Sequence, residues 1–405
     1  MVLIPYDVWL VIIQFLPDET VQNLLGLNHA CFDTVMSRRY RVVNITHGDR
    51  DKRANRYLLH LQNRYIAQRV RILHISFSGF LPEQLEVLRR GLVSKMADTA
   101  RQTLFKRGYV TRAQSTQSLQ MTRYNDELAS TLAGMSALTD LHLHYDTPAE
   151  NLVPLASVTR NPLGSNLRYL LLSGTLYNIA EAVRFPVVFE KIECISLHLG
   201  PTQVHSGPIM LEDVSRRITS FINGHHATLQ DLELSYKFKF DSPSELSFVL
   251  DGLGYFSRLH AFQLQASLDS GLGLYALHKI ISAHQHQLVT VIITHRLPAT
   301  FWEGTTLPIL ESLNLAMNAE DPHMIEAVIS LLIRLEPSLI GFKLKTDYQF
   351  SDQELYKILG VFTPRSKLRR LALPLDFLSP RVLEFVATNL PELQLKLVNS
   401  HFMVE

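Results

Sequence analysis

Only two cysteines, Cys31 and Cys194, occur in 405 residues. A single pair cannot build a disulfide framework or a four-cysteine zinc site, and such sparing use fits a reducing compartment, so cytoplasm or nucleus is the expected location. Neither sign of charge is in excess, with 39 basic against 38 acidic residues. A chain so balanced is not built as a polyanion binder, and nucleic acid is not an expected partner. No apolar run reaches the roughly 20 residues that span a bilayer, so no membrane partner is expected either. There is no low-complexity tract, and a hydrophobic content of 46% excludes a disordered chain. Motifs of chemistry are missing too: no Gly-rich phosphate loop, nucleophile elbow, paired-cysteine motif or His-Glu-x-x-His string is found. Serine and histidine are plentiful, but they make a triad only through geometry. No catalytic residue, metal or cofactor is therefore expected, and the chain is read as a non-enzyme.

What is present begins at Ile4. Pro5 suits a first helical residue because the N–H it lacks could not have been bonded there, and Asp7 favours the positive end of the helix dipole. Val8, Trp9, Ile12, Ile13, Phe15 and Leu16 cover more than one stripe of that helix, so one face can pack inward while another stays apolar and open. Pro17 ends it. Asp18, Glu19 and Thr20 open a second short helix through Val21, Leu24 and Leu25 to Gly26, and Asn28 caps a third carrying Phe32, Val35 and Met36. The apolar stretch is not read as a secretory signal, since it has no basic start, an early Asp7 and no small-residue cleavage site.

This run resembles the F-box: Ile4-Pro5, Phe15-Leu16, Val21 to Leu27, Cys31-Phe32 and Arg39-Tyr40 occupy that family's places in order. It departs in having Asp7 one place late, after Tyr6, and Phe32 where a Trp is usual. The resemblance covers residues 3–45 and implies docking to an Skp-type adaptor through exposed apolar residues. Ile4, Pro5, Trp9, Ile12, Phe15, Leu16, Leu24 and Leu25 are the candidate adaptor-binding residues, several of which must instead fill the small module's own core. Residues 46–69 read as a basic helical linker, with ten basic residues against Asp49 and Asp51 between Arg38 and Arg71. An ordinary solvated helix face accounts for them better than a collar for an acidic partner.

From Val70 a unit recurs in which three apolar residues take the first, fourth and sixth places. By chance the bare pattern would occur on the order of ten times in so apolar a chain, so spacing has to decide. From Leu138, successive units begin after 29, 25, 37, 30, 29, 22, 29, 29 and 22 residues, near the period expected of leucine-rich repeats. Helix signals fall between them: capping boxes at Ser242–Glu245 and Ser351–Glu354, and Asp321-Pro322 and Ser379-Pro380 as N-caps followed by Pro. Residues 70–405 therefore read as a curved α/β solenoid with a parallel sheet inside and helices outside. They resemble the leucine-rich repeat family in its irregular, helix-bearing form, although the Asn that follows the strand in that family is mostly missing. An irregular basic insertion is expected at about 97–125, after a helix over 82–96.

The residues between the apolar strand positions should form the concave face. His74, His142, His144, His198, Glu233, Gln263, Gln265, Asn314, Lys343, Lys345 and Lys396 are the candidate substrate-binding residues. Histidines gather on the early strands and lysines on the late ones. A polar recognition surface is favoured over a metal site there, and His225, His226, His284 and His286 are expected at the surface of helix-to-strand loops. An F-box followed by such repeats implies a substrate-recognition subunit of a Skp-cullin-F-box ubiquitin ligase, joined through its adaptor to a cullin-RING ligase, with an unknown protein as substrate. The alternative is a non-ligase leucine-rich-repeat scaffold or inhibitor whose N-terminal helices only cap the solenoid.

Overall fold

Three short helices open the chain: α1 (Tyr6–Gln14), α2 (Asp18–Asn23) and α3 (His29–Tyr40). Pro5 and Pro17 sit at the N-caps of α1 and α2, one place earlier than a first helical residue. The Asn28 side chain accepts a hydrogen bond from the Cys31 amide at 2.9 Å, the capping expected of it. Ile13, Val21, Ala30, Cys31 and Val35 form the core of this helical module, with Trp9, Leu10, Leu16 and Leu24 packed around it.

In the computed structural model, the described residues are 4–46, 60–76, 128, 130–145, 155–156, 165–200, 208–236, 244–268, 271–374 and 379–398. Two compact units divide the chain, Met1–Ile192 and Glu193–Glu405. In the first, α3 runs into β1 (Val42–Thr46), which pairs in parallel with β2 (Ile72–Ser76), then β3 (Asp140–Tyr145) and β4 (Tyr169–Thr175). A short α4 (Arg64–Ala67) precedes β2, and α5 (Leu176–Ala182) follows β4. β1 was not anticipated, and the expected module boundary at residue 45 falls inside it. Its Val42-Val43-Asn44-Ile45 run carries the β-branched signature of a strand.

In the second unit β5 (Cys194–Gly200), β6 (Asp231–Tyr236), β7 (Ala261–Gln265), β8 (Thr290–Leu297), β9 (Ser312–Met317), β10 (Gly341–Lys345), β11 (Arg370–Pro374) and β12 (Gln394–Val398) lie in sequence order, every pair parallel. Between them run α6 (Pro208–Asn223), α7 (Ser244–Gly252), α8 (Leu272–Ala283), a 3-10 turn (Ala299–Trp302), α9 (Met324–Leu335), α10 (Asp352–Leu359) and α11 (Pro380–Asn389). α7 packs between α6 and α8, and α10 between α9 and α11. The fold is α/β, with parallel strands separated by helices in each unit.

The repeat explains the register. Leu229, Leu232 and Leu234, and Leu288, Val291 and Ile293, are buried, as are the corresponding residues of the other units from Val70 through Leu373. Because parallel strands pair residue for residue here, Leu232 beside Phe262 beside Val291 beside Leu313 makes one continuous apolar row. A fully buried Leu or Ile in such a row contributes roughly 1.5 to 3 kcal/mol of transfer free energy, less the ordering entropy it costs.

The caps divide. Ser351 and Glu354 form the reciprocal capping box of α10, and Ser379 caps α11 with Pro380 in its first turn. Asp321 does not cap α9, whose N-cap is His323. Its carboxylate instead accepts from the amides of Ala299 (2.8 Å) and His323 (3.0 Å), tying the 3-10 turn to the start of α9. Those two N–H groups hold the Asp321 carboxyl below the usual range. The helix expected over 82–96, the basic segment at 97–125 and the Ser242 capping box lie outside the described residues.

Candidate functional site

α1 has two apolar faces, and this is the structural basis of the N-terminal site. Trp9, Leu10, Ile13 and Leu16 turn toward the module's core. Ile4, Val8, Val11 and Phe15 recur every three to four residues along the opposite side and are exposed, Phe15 by 82% and Val11 by 54%. Leu25 and Leu27, just past α2, are exposed as well. Of the residues selected from sequence for adaptor contact, Ile4, Pro5, Phe15 and Leu25 are thus open to solvent, Ile12 is half-buried, and Trp9, Leu16 and Leu24 belong to the core. Val8 and Val11 were passed over, although their spacing from Ile4 and Phe15 already marked one stripe.

Around Asp33 on α3, the module is fastened to the segment that follows it. Tyr6 donates to its carboxylate at 3.1 Å, His29 lies 2.9 Å away, and Tyr65 and Arg69 both donate to its second oxygen. The Arg69 guanidinium also stacks over the Tyr65 ring, 3.5 Å from its centroid. Burial alone would raise the Asp33 pKa, but the bonds from Tyr65, Tyr6 and Arg69, with His29 beside them, outweigh it and hold the carboxyl below its ordinary value. Sequence reading gave Tyr65 and Arg69 no such role, because their partner is about thirty residues away in the chain.

The polar strand positions line up from strand to strand within each unit. In the first unit His74 pairs in register with His142, and Ser76 with His144. The His74 and His142 rings are 4.1 Å apart, and His142 is 5.1 Å from the Tyr169 ring. Among the described residues no third ligand joins them to make a group that could hold a metal.

In the second unit one register row reads Ser196, Glu233, Gln263, Ile292, Asn314, Lys343, and Ala372 then pairs with Lys396. Glu233 accepts from the Ser196 hydroxyl at 2.8 Å and from the Gln263 amide at 2.9 Å. His198 Nε2 lies 3.1 Å from Ser196 Oγ and 3.5 Å from Glu233. A serine beside a histidine raises the question of a nucleophile, and the proton directions answer it. The serine proton is given to Glu233, so the imidazole must donate to the serine rather than take its proton. Ser196 is fully buried, and serine and carboxylate both approach the same ring nitrogen. This is a satisfied hydrogen-bond network on the polar face, without the arrangement of an activated serine. Gln265 is exposed next to it.

Compared with protein-family models and with curated proteins, the chain finds no match. Its site must therefore be read from geometry. At the far end of the row, Lys343 and Lys345 are half-buried, with no ion pair among the described residues. Burial, with Lys343 close by, pulls the Lys345 ammonium below the usual lysine range. Asn314, beside Lys343, has a buried side-chain oxygen with no partner. Half-buried cations without counter-charges are suited to a ligand that brings acidic groups.

His225 and His284, expected at the surface, are buried. Each follows a helix by two residues or fewer and bonds back through Nδ1, His225 to the Phe221 carbonyl at 2.9 Å and His284 to the Ile280 carbonyl at 2.7 Å. His284 Nε2 also accepts from the Phe256 amide at 2.9 Å. Each stands four residues before the first Leu of its repeat, so these imidazoles close helix ends inside the core. Their shared offset before Leu229 and Leu288 is readable in the sequence, but the burial that gives them this role is not.

Proposed function

We propose that this chain is the substrate-recognition subunit of a Skp-cullin-F-box ubiquitin ligase, with α1 docking an Skp-type adaptor and the polar strand face holding a protein substrate. The observation that carries the reading is the exposed stripe Ile4, Val8, Val11 and Phe15, on the side of α1 away from its own core. A folded protein rarely leaves so contiguous an apolar surface open without a partner. The chain would act without chemistry of its own, raising the effective concentration of a substrate near a ubiquitin-charged enzyme carried by others. The lysine-bearing end of the row suits an acidic substrate segment.

The test is coexpression of the full chain with an Skp-type adaptor, scored for adaptor and cullin in the purified complex. Phe15→Asp should lower adaptor recovery at least tenfold, because a desolvated aromatic anchor contributes about 2 kcal/mol or more to an interface. Unchanged recovery, or no recovery with the unaltered chain, would sink the reading.

A second reading, a repeat scaffold with a helical cap and no ligase, is favoured by the continuity of α3 with β1 and by the Asp33 network. Repeat arrays need such a terminal cap for solubility. In that case Phe15→Asp leaves every binding partner in place, while Asp33→Asn loosens the unit.

A further inference from the structure

A cleft of about 600 Å³ lies in the first unit, on the side of α1 away from the apolar stripe, where Tyr6, Leu10, Ile13 and Gln14 line it. Four arginines, Arg38, Arg41, Arg69 and Arg71, line the same cleft. Their convergence is fixed by the backbone. Arg38 and Arg41 are three residues apart at the end of α3, a spacing that brings side chains to one helix face. Arg41 and Arg71 immediately precede the paired residues Val42 and Ile72, and the Arg71 amide donates to the Arg41 carbonyl at 3.0 Å. Two like charges held side by side at the starts of paired strands repel unless something of opposite sign is near.

Among the described residues the only carboxylate lining the cleft is Asp33, and it is already engaged by Tyr6, Tyr65, Arg69 and His29. Arg38 pairs with Asp18, whose side chain is 81% exposed, a contact easily exchanged for another anion. Arg69 keeps a buried Nε with no partner. Arg41 and Arg71 are exposed and have no ion pair among the described residues. Among the described residues the cleft therefore presents guanidinium forks in excess of the acid that could neutralise them, and Ser37 and Gln68 also line it. Planar forks match the oxygens of phosphate, two bonds at a time.

We propose that this cleft is a binding site for a phosphate ester, held chiefly by Arg41 and Arg71 with Arg38 exchanging its Asp18 contact for the ligand. The site does not rest on the adaptor-docking reading, since it uses the other side of α1. The phosphate can belong to a soluble ester or to a lipid headgroup, and the experiment separates the two.

Inorganic pyrophosphate is titrated into the full-length chain by calorimetry at two salt concentrations. Saturable binding that weakens with salt is expected, and Arg41→Gln or Arg71→Gln should each weaken it about tenfold, the difference of one charge-assisted hydrogen bond. Arg41→Lys keeps the charge but not the fork and should fall between. Arg365→Gln, an exposed arginine of the other unit, should bind as the unaltered chain does. Thermal unfolding of each variant reports whether it is folded. Cosedimentation with phosphatidylcholine vesicles containing phosphatidate, lost in the Arg41 and Arg71 variants, assigns a lipid headgroup; its absence alongside pyrophosphate binding assigns a soluble ester. No saturable pyrophosphate binding, or binding equal in all folded variants, overturns the proposal.

Discussion

Acid should unfold the second unit earlier than its carboxylates alone would require, and His225 is the reason. Its imidazole is 2% exposed and its pKa is lowered from 6.5 to about 4; burial drives it down, partly countered by the bond to the Phe221 carbonyl. A folded pKa below the unfolded one means that unfolding takes up a proton. The stability this group contributes is therefore complete above pH 6.5 and falls as pH drops toward 4. For a shift from 6.5 to about 4, the loss between pH 7 and pH 4.5 works out at about 2 kcal/mol.

The perturbation is His225→Gln in a Trp9→Phe background, which leaves Trp302, 1% exposed within that unit, as the single indole. Urea unfolding followed by its fluorescence gives the stability of each protein at pH 7 and pH 4.5. At pH 7 the variant should be the less stable, having lost a packed ring and a hydrogen bond. At pH 4.5 the gap should close by about 2 kcal/mol, because only the parent must then bury a group that prefers to be charged. Carboxylate titrations are common to both proteins and cancel in the difference. If the two lose stability in parallel between those pH values, the buried neutral imidazole is not what the structure says it is. His284, lowered in the same direction by burial against its bond to Ile280, should behave alike.

Two further outcomes test the core and the N-terminal anchor. Leu234→Ala, at a fully buried row position, should cost 2 to 5 kcal/mol in the same urea assay, by the usual range for a buried Leu truncation; a loss under about 1 kcal/mol would mean the row is not tightly packed. Asp33→Asn removes the charge that Arg69 and His29 face, with the Asp33 and Arg69 side chains only 17% and 15% exposed. It should destabilise the first unit by about 1 to 3 kcal/mol, read by thermal unfolding with Trp9 as reporter in a Trp302→Phe background. Because the Asp33 pKa is held down, its contribution is present above the ordinary carboxylate value and lost as pH falls through the folded one. A parent and variant that melt together at pH 7 would refute the anchoring role.

The strand rows and the helix starts were legible because each is a local rule. A Leu-x-x-Leu-x-Leu unit at nearly constant spacing dictates which side chains alternate inward, and Ser351 with Glu354 caps a helix using nothing beyond four consecutive residues. The apolar excess on α1 was readable for the same reason. Which of its two faces would be buried was not, since Trp9 and Phe15 are equally apolar in sequence. Only the docking of α2 and α3 turned Trp9 inward and left Phe15 out.

By itself, then, the sequence determined a chain of alternating strands and helices, its apolar rows, and a three-helix start with more apolar surface than it can bury. Tertiary structure alone decided that Asp33 would meet Tyr65 and Arg69, that Arg41 and Arg71 would meet at the starts of paired strands in one cleft, and that His225 and His284 would close helix ends in the core. The physical reason is range: periodicity and capping act over a few residues, whereas a charge or an imidazole takes its role from whatever the folded chain carries to within a few ångströms of it.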